Sequence, residues 1–458
     1  MKNVYSSNYS ISHDKNEGNR RAEAFFDAGT FVEIGAHIRR DNDPASFEGV
    51  VTGYGAVDGR LVFGFFQDNS RMKGAIDAQY GRKIEQIYAL AVRNGAPIVG
   101  VLDSAGAVIY DGAASMAAYG KWMKAAAKAS GVIPQITVID GICAGSAAMA
   151  AAMTDFVVTA KDKAEIYLSP VASSDSEGAD TAGFIALETE NEAAAFASAR
   201  TLLSLLPQNN AEGTVAAECT DDMNRVGTWV KGDVDASLAA IADGGEFYEL
   251  YGGFGCGVKT GFMTLSGTVV GVIAGNSAAD GGAIGTQEAK KSAKLVSFCD
   301  SFGIPVVNLV DSVGLKKASA PDTAQAFAAL AGAFAGAECP IVTAIVGKAY
   351  GVGFILGGSK VLGADIVFAL PDASIGLMSP EASVAFVWND RVSEETSRES
   401  LEAEWKESYA SPAEAACRGE VDDVIDPAEL RARLSAAVLM LMSKSVGLPD
   451  RRHPVMPL

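Results

Sequence analysis

The stretch Gly141-Ile-Cys-Ala-Gly-Ser-Ala147 lies between two apolar runs and has a second copy far along the chain, Gly347-Lys-Ala-Tyr-Gly-Val-Gly353. Glycine and other small residues at this spacing let the backbone come close to a ligand and leave amide N–H groups pointing at it. Because the copies occupy equivalent places in the two halves of the chain, they predict two pockets, each able to stabilise a developing negative charge.

An internal repeat surrounds both turns. Glycine, proline, lysine and aspartate residues recur at a nearly constant separation in the two halves. The matched positions are Thr52-Gly53 and Thr260-Gly261, Gly59 and Gly267, Lys83 and Lys291, Pro97 and Pro305, Asp103-Ser-Ala-Gly106 and Asp311-Ser-Val-Gly314, Pro134 and Pro340, Gly145 and Gly351, and Ser169-Pro170 and Ser379-Pro380. Agreement over so many turn and core positions indicates a duplicated domain.

Local patterns predict an α/β fold. Asp58-Gly59 is a hairpin turn signal between alternating strands, residues 78–94 and 113–129 are predicted helices, and short apolar strands precede Asp103 and Gly141. Strand–turn–helix units in series imply crossover connections. The expected organisation is a tail at 1–20, a first domain at 21–208, a linker or surface excursion rich in Ala, Glu, Asp and Thr at 209–240, and a second domain at 241–458.

Composition excludes several functional classes. The 458 residues carry a formal net charge of −19, which argues against general affinity for nucleic acid or for an anionic membrane surface. Six cysteines without a C-x-x-C pair are typical of free thiols in a reducing cytosol, and three histidines make a Ser-His-Asp constellation or a His-rich metal site unexpected. No apolar run reaches the roughly 18 residues of a membrane span. Since residues 1–21 also lack the apolar core of a signal peptide, we expect a cytoplasmic protein.

The two turns suit chemistry that passes through an enolate. A pair of peptide N–H groups aimed at a thioester oxygen stabilises an enolate, each well-placed donor contributing roughly 3 kcal/mol. Gly145-Ser146 and Val352-Gly353 are the predicted donor pairs, and Asp103-Ser-Ala-Gly106 and Asp311-Ser-Val-Gly314 are the predicted opposite walls. The alternative is that these glycines only permit a helix to pack closely on a sheet.

Two lysines occupy matched positions on predicted helices. Lys83 and Lys291 are either ordinary surface lysines or help to hold the phosphates of a ligand. A G-x-x-x-x-G-K-[ST] loop is absent, so nucleotide hydrolysis is not predicted.

From Arg21 to Leu458 the chain resembles the carboxyltransferase subunit of biotin-dependent acyl-CoA carboxylases, of the propionyl-CoA carboxylase beta chain type. It is also similar to the alpha subunit of methylmalonyl-CoA and glutaconyl-CoA decarboxylases. The stretches that carry the resemblance are Phe31-Val-Glu-Ile-Gly35, Val50-Val-Thr-Gly-Tyr-Gly55, Gly95-Ala-Pro97, Ser130-Gly-Val-Ile-Pro-Gln135, Thr154-Asp-Phe-Val-Val158, Lys348-Ala-Tyr-Gly351, Leu362-Gly-Ala-Asp365, Arg418-Gly-Glu-Val-Asp-Asp-Val-Ile-Asp-Pro427 and Pro457-Leu458.

The resemblance implies two tandem crotonase-like (ClpP/crotonase) ββα-spiral domains and a homo-hexamer built as a trimer of dimers. It implies that acyl-CoA lies along the first domain, with Gly145-Ser146 on the thioester enolate oxygen, and carboxybiotin along the second domain of a partner subunit, with Val352-Gly353 on the ureido oxygen. No metal is implied in this subunit. The other expected ligand contacts are Ser104, Ala105, Gly106, Ala107, Ala144, Gly351, Phe354, Ile355, Lys83 and Lys291.

The chain departs from the family pattern at several of these positions. The loop Ser104-Ala-Gly-Ala-Val108 lacks the arginine of the usual Ser-Gly-Gly-Ala-Arg, Ser146 replaces a glycine, and Val352 narrows the biotin side. Ile355 stands where the family has an aspartate that helps to set acyl preference, so a strict propionyl preference does not follow. The expected substrate is a short acyl-CoA of the acetyl or propionyl class.

Partners follow from the same resemblance. The chain has no Ala-Met-Lys-Met biotin attachment motif and no ATP-binding biotin carboxylase region, so we expect biotin on a separate carrier protein. A biotin carboxylase subunit would make the chain part of a carboxylase, and a membrane decarboxylase subunit would make it part of a sodium-pumping decarboxylase. A biotin-independent hydratase or isomerase, which needs an acidic residue beside the turn, and an inactive scaffold subunit are the alternatives of another class.

Overall fold

The computed structural model of the chain describes residues 16–38, 49–168, 183–216, 219, 221–222, 224–317 and 321–446. The chain divides into two compact units, Met1–Gly213 and Thr214–Leu458. Residues 1–15 of the predicted tail at 1–20, the repeated Ser169-Pro170 and the C-terminal Pro457-Leu458 lie outside the described residues. Residues 17–20 of that tail belong to the helix Glu17–Phe25, so the first unit begins before residue 21.

The first unit is a mixed sheet whose strands are connected mostly by helices. Its strands are β1 (Val32–Glu33), β2 (Val50–Val57), β3 (Arg60–Gln67), β4 (Ile98–Ser104), β5 (Gln135–Ala144), β6 (Phe156–Ala160), β7 (Glu165–Tyr167) and β8 (Ile185–Thr189). Its helices are α1 (Glu17–Phe25), α2 (Ala78–Asn94), α3 (Ala113–Ala129), α4 (Ser146–Ala152) and α5 (Glu192–Leu205). The described strands follow the order β1-β2-β3-β4-β5-β6-β8, and β7 pairs with the end of β5. The first two pairs are antiparallel and the others are parallel, as a hairpin followed by crossover connections requires.

The second unit repeats this sheet. Its strands are β9 (Phe247–Leu250), β10 (Val258–Leu265), β11 (Thr268–Gly275), β12 (Val306–Ser312), β13 (Ile341–Tyr350), β14 (Ile366–Ala369), β15 (Ser374–Gly376) and β16 (Asp423–Val424). Its helices are α6 (Val234–Ile241), α7 (Thr286–Ser301), α8 (Thr323–Gly336), α9 (Val352–Leu356), α10 (Pro380–Val387), α11 (Arg398–Tyr409), α12 (Pro412–Cys417) and α13 (Leu430–Leu441). The described strands follow the order β9-β10-β11-β12-β13-β14-β16, with β15 on β13. The predicted duplication is therefore visible strand by strand.

The hairpin turns explain why glycine recurs at matched positions. Asp58 and Gly59 have φ values of 50° and 76°, and Ser266 and Gly267 have 50° and 81°. Two successive residues with positive φ form the tight two-residue turn whose twist suits a hairpin, and glycine adopts that backbone without strain. The predicted turn at Asp58-Gly59 is confirmed.

Helix α2 shows how local signals and burial agree. It begins after Asp77, whose carboxylate accepts the Tyr80 N–H at 2.8 Å, and it ends at Gly95 with φ 58°. Its apolar side joins a core cluster that includes Trp122 of α3, and the Trp122 ring meets the Phe65 ring edge-on at 5.5 Å. Each large side chain buried in this way contributes about 1.5–3 kcal/mol.

The stretch predicted as a linker contains helix α6. Asp233 caps it by accepting the Ala236 N–H, and Val234, Leu238 and Ile241 belong to the core cluster of the second unit. The apolar residues recur at i, i+4 and i+7, which is the spacing of one helix face, so the stretch is not only a surface excursion.

In the described ranges no helix is long and apolar enough to cross a membrane. Over the same ranges, His, Cys, Asp and Glu side chains form no group of three that could hold a metal ion.

Candidate active-site turns

The turn of the first unit changes direction at a single glycine. Strand β5 ends at Ala144, Gly145 has φ 59° and ψ −122°, and α4 begins at Ser146. The Gly145 N–H donates to the carbonyl of Tyr167, at the end of β7, over 2.8 Å. This backbone conformation is open only to glycine, because a Cβ atom with positive φ and this ψ is strained.

The turn of the second unit has the same backbone. Gly351 has φ 51° and ψ −118°, follows β13 and precedes α9, which begins at Val352. Its N–H donates to the Gly376 carbonyl, at the end of β15, over 2.9 Å. The two glycines are therefore equivalent in dihedral angles and in hydrogen bonding.

The N–H groups that remain for a ligand follow each glycine. Because the Gly145 N–H is already bonded to Tyr167, the prediction that Gly145 acts as a donor needs correction: the candidate donors are Ser146 and Ala147. No acceptor for these two N–H groups, or for those of Val352 and Gly353, is found within the described part of the chain. In register Ser146 corresponds to Val352, so both units present the same pair of backbone groups at the start of a short helix.

The two predicted walls, Asp103-Ser-Ala-Gly106 and Asp311-Ser-Val-Gly314, support the turns through their aspartate side chains. Asp103 Oδ1 accepts the Ile142 N–H at 3.2 Å, and Asp311 Oδ1 accepts the Lys348 N–H at 2.9 Å, where the register of β4–β5 and of β12–β13 shifts. A Cβ atom at Gly141 would lie 2.2 Å from Asp103 Oδ1. The carboxylate thus fills the place of a side chain at Gly141 and guides the strand into the turn.

Several predicted contact residues are not accessible to a ligand. Ser104 is 1% exposed and its hydroxyl donates to the Gly74 carbonyl at 2.6 Å, so its predicted ligand contact is corrected to a structural role. Ala144 is also buried, at 7%. Ala105 is exposed and Gly106 and Ala107 are half-buried, so these three residues keep the surface of the loop that is accessible to a ligand.

Neither predicted lysine lies at the surface. Lys83 is 2% exposed and its ammonium donates to the Val50 carbonyl at 2.5 Å. Lys291 is 3% exposed, its Nζ lies 3.5 Å from the Tyr251 carbonyl, and burial lowers the pKa of its ammonium to about 8. Both the surface interpretation and the phosphate-binding interpretation are corrected, because the two ammonium groups point into the core.

A cavity of about 1010 Å³ lies beside the turn of the second unit. Its wall includes Tyr350, Gly351 and Val352 together with the ammonium side chains of Lys316 and Lys348. Lys316 is placed by Glu288 and Asp280, each 3.4 Å from its Nζ. Sequence reasoning missed these lysines, although Lys348 is part of the repeated motif and Lys316 follows the predicted wall by two residues.

The remaining two predicted contacts follow Val352 on α9. Phe354 is half-buried and Ile355 is 45% exposed, so both keep surface for a ligand. Ile355 lies at the position equivalent to Met149 of α4, which is 48% exposed. Each unit therefore presents an apolar side chain one turn after its free N–H groups.

Behind the first turn lies a buried ionic cluster. Arg21 of α1 donates to Asp103 Oδ2 at 3.0 Å and to Asp140 Oδ2 at 2.8 Å. Asp140 is fully buried, and Lys163 lies 3.4 Å from its other oxygen. Burial and the neighbouring Glu192 carboxylate raise the pKa of Asp140 to about 7.

Comparisons with known proteins match one family along almost the whole chain. A family model described as "Carboxyl transferase domain" matches residues 15–456. The propionyl-CoA carboxylase carboxyltransferase subunit of Haloferax mediterranei is 34% identical, with 97% of this chain and 94% of that protein covered. The methylmalonyl-CoA decarboxylase alpha subunit of Veillonella parvula is 33% identical, with 96% and 92% covered.

Among solved structures, transcarboxylase 12S, described as a hexamer with methylmalonyl-coenzyme A bound, is similar with a TM-score of 0.89. It is 30% identical in sequence, and the match covers 100% of this chain and 95% of that one. Since the similarity spans both repeated sheets and both turns, the chain belongs to the carboxyl transferase domain family and has its crotonase-like two-domain fold.

Proposed function

We propose that the chain is the carboxyltransferase subunit of a biotin-dependent acyl-CoA carboxylase or decarboxylase. It moves CO2 between carboxybiotin on a separate carrier protein and the α-carbon of a short acyl-CoA. The observation that carries the proposal is the pair of equivalent turns, each with two backbone N–H groups free of acceptors in the described chain. One turn serves the thioester and the other serves the urea, since both partners develop negative charge on an oxygen.

The first unit stabilises the enolate. The N–H groups of Ser146 and Ala147 face the thioester oxygen, which becomes an oxyanion when the α-carbon loses its carboxyl group or its proton. Each such donor contributes roughly 3 kcal/mol to the transition state. Gly145 fixes the direction of these donors through its own bond to Tyr167.

The second unit suits a carboxylated urea. The cavity beside Gly351 is lined by Val352 and Leu377, by the lysines Lys316 and Lys348, and by the acids Asp280 and Glu381. The Val352 and Gly353 N–H groups follow Gly351 directly at the start of α9. N–H donors fit a ureido oxygen, and ammonium groups fit a carboxylate. Biotin, when bound, supplies the carboxyl group that is transferred and a ureido nitrogen that can take a proton. Val352 and Gly353 hold the oxygen, and the lysines orient the charged end.

A hydratase or isomerase is disfavoured by where the acids lie. Asp103 is engaged by the Ile142 N–H and by Arg21, and Asp140 is fully buried. Residues 146–152 of α4 contain no acid. A carboxyl transfer needs no side-chain base at this turn, whereas a hydratase does.

The test is CO2 transfer by the purified protein. We expect malonyl-CoA or methylmalonyl-CoA to lose CO2 in the presence of free biotin, and a panel of acyl chain lengths to define the acyl preference. The proposal fails if no acyl-CoA of the panel supports transfer and none binds.

Partners and assembly are further parts of the proposal. We propose a cytoplasmic homo-hexamer arranged as a trimer of dimers, which binds a biotin carboxyl carrier protein and either a biotin carboxylase or a membrane decarboxylase subunit. The hexamer of transcarboxylase 12S supports the assembly. Light scattering should give six times the chain mass of 47.3 kDa, and co-purification with the ATP-dependent or the membrane partner decides the direction.

A further inference from the structure

We propose that Arg21 is a positioning residue for the turn at Gly145, and for that turn only. This inference rests on the proposed function of the turn. Arg21 touches no ligand: it acts by holding the ends of β3 and β4 to the middle of β5, and through them it sets the direction of the Ser146 and Ala147 N–H groups.

The guanidinium of Arg21 lies at the meeting point of those strands. Its Nη1 donates to the Gln67 carbonyl at the end of β3 over 2.7 Å, and its Nη2 reaches Asp103 on β4 and Asp140 on β5. The Arg21 side chain is 3% exposed, so these bonds form away from water. A planar guanidinium can bridge three acceptors at once, which an ammonium cannot do with the same geometry.

The connection from Arg21 to the turn is short. Asp103 holds Arg21 with one oxygen and the Ile142 N–H with the other, three residues before Gly145. The Asp103 N–H in turn donates to the Gln67 side chain at 2.7 Å. Without the guanidinium, the buried carboxylates of Asp103 and Asp140 would remain close together without their shared cation. The two carboxylates then repel each other, and their separation moves the end of β5, which leads directly into the turn.

Among the described residues of the second unit, no arginine or lysine forms an ion pair with Asp311, the residue equivalent to Asp103. Val346 stands at the position equivalent to Asp140, and the buried residues of α6 are Val234, Ser237, Leu238 and Ile241, none of them charged. Asp311 keeps its bond to the Lys348 N–H. The two turns therefore share a backbone conformation, but the ion pairs of Arg21 stabilise the first turn. Loss of Arg21 should consequently affect the half of the reaction that uses the acyl-CoA.

A matched control exists in the second unit. Arg431 is 0% exposed and donates to Asp243 at 2.6 Å, to the Asp222 carbonyl at 3.0 Å and to the Ile241 carbonyl at 3.1 Å. It is equally buried and equally bonded, but its partners lie outside both turns. Arg431→Met therefore measures the cost of losing a buried arginine as such.

The experiment compares Arg21→Lys, Arg21→Met and Arg431→Met with the wild-type protein. We expect kcat for CO2 transfer to fall about 100-fold in Arg21→Met and about 10-fold in Arg21→Lys, with KM for biotin unchanged and kcat of Arg431→Met within about threefold of wild type.

A second measurement keeps the inference testable if Arg21→Met does not fold or if the wild-type protein shows no transfer. Amide hydrogen exchange over residues 142–147 should be at least about 10-fold faster in Arg21→Lys than in wild type, while exchange over 348–353 stays the same. Unchanged exchange at 142–147, or equal loss of kcat in Arg21→Met and Arg431→Met, overturns the role of Arg21. Absence of transfer by the wild-type protein overturns the proposed function instead.

Discussion

Replacing Gly145 by alanine isolates the contribution of the turn's backbone. A Cβ atom there would have a single neighbour within 4 Å, the Leu168 carbonyl oxygen at 3.8 Å, so the substitution causes no crowding. The cost arises from the dihedral angles alone, φ 59° and ψ −122°, which a residue with a Cβ adopts at about 1–3 kcal/mol. A rotation of the peptide relieves this strain, and the rotation turns the Ser146 N–H away from the thioester oxygen.

The size of the effect on activity follows from the donor that is lost. One misdirected oxyanion donor costs about 10²–10³ in kcat, or roughly 3–4 kcal/mol. We therefore expect Gly145→Ala to lower kcat for CO2 transfer from malonyl-CoA or methylmalonyl-CoA to free biotin by at least about 100-fold. KM for acyl-CoA should change less, because the donors act mainly on the charge that develops in the transition state.

Gly59→Ala provides the matched control. Gly59 has φ 76° and no atom within 4 Å of a Cβ, so its substitution also places a Cβ at a positive φ without crowding, in a hairpin turn outside the site. The two variants should lose similar free energy of unfolding, and only Gly145→Ala should lose kcat. If both keep wild-type kcat, the conformation of the turn has no part in the chemistry.

The remaining predictions concern the second turn and three buried charges. Gly351→Ala should lower kcat as strongly as Gly145→Ala while leaving acyl-CoA binding, measured by calorimetry, intact, because it distorts only the urea side. Lys291→Met should raise the free energy of unfolding at pH 7 by about 1–3 kcal/mol, since the folded state depresses the pKa of Lys291 to about 8 and so binds its proton less tightly than the unfolded chain. The gain should shrink as pH rises from 8 towards 10.5 in urea titrations, and a gain that is independent of pH contradicts desolvation of the ammonium as its cause. Lys83→Met should instead lower the free energy of unfolding by about 1–3 kcal/mol, because it leaves the Val50 carbonyl buried without its donor. Burial raises the pKa of Asp140 to about 7, so the folded state holds a proton that the unfolded chain releases. The wild-type protein should therefore lose free energy of unfolding relative to Asp140→Asn as pH rises from about 4 to 7, by up to ~1.4 kcal/mol per pH unit. The difference between the two proteins should be constant above about pH 8 in unfolding titrations.

The sequence predicted the regular elements best where glycine, proline and capping residues mark their ends. The bounds of α2 and α3 agree with the predicted ranges 78–94 and 113–129. Strand β5, predicted to end before Gly141, continues to Ala144. Gly141 indicated a turn, but the Asp103 carboxylate, from another strand, takes up the space beside Gly141 and accepts the N–H of Ile142. Such a contact between distant residues leaves no local signal.

The site was predicted to the level of the turn but not of the individual donor. The Gly145 N–H is unavailable because the Tyr167 carbonyl accepts it, and no residue near Gly145 in the sequence indicates that acceptor. The buried lysines are a different case. Lys83 lies three residues after Tyr80 and four before Ile87, within the buried face of α2, so helical periodicity alone indicated a core position. The predicted surface position of the lysines was therefore wrong, and the helical periodicity of the sequence already contradicted it.

The two turns show which part of a duplicated site is constrained and which part is free. The dihedral angles of Gly145 and Gly351 differ by at most 8°, because the direction of the following N–H groups depends on them. The support behind each turn has no such constraint: any packing that holds the strand ends will serve, whether it is the ion pairs of Asp140 or the apolar contacts of Val346. Substitution of either glycine should therefore lower kcat for CO2 transfer to a similar extent. Substitution of the ion pairs behind the first turn should affect the half of the reaction that uses the acyl-CoA, and its effect should depend on pH through Asp140.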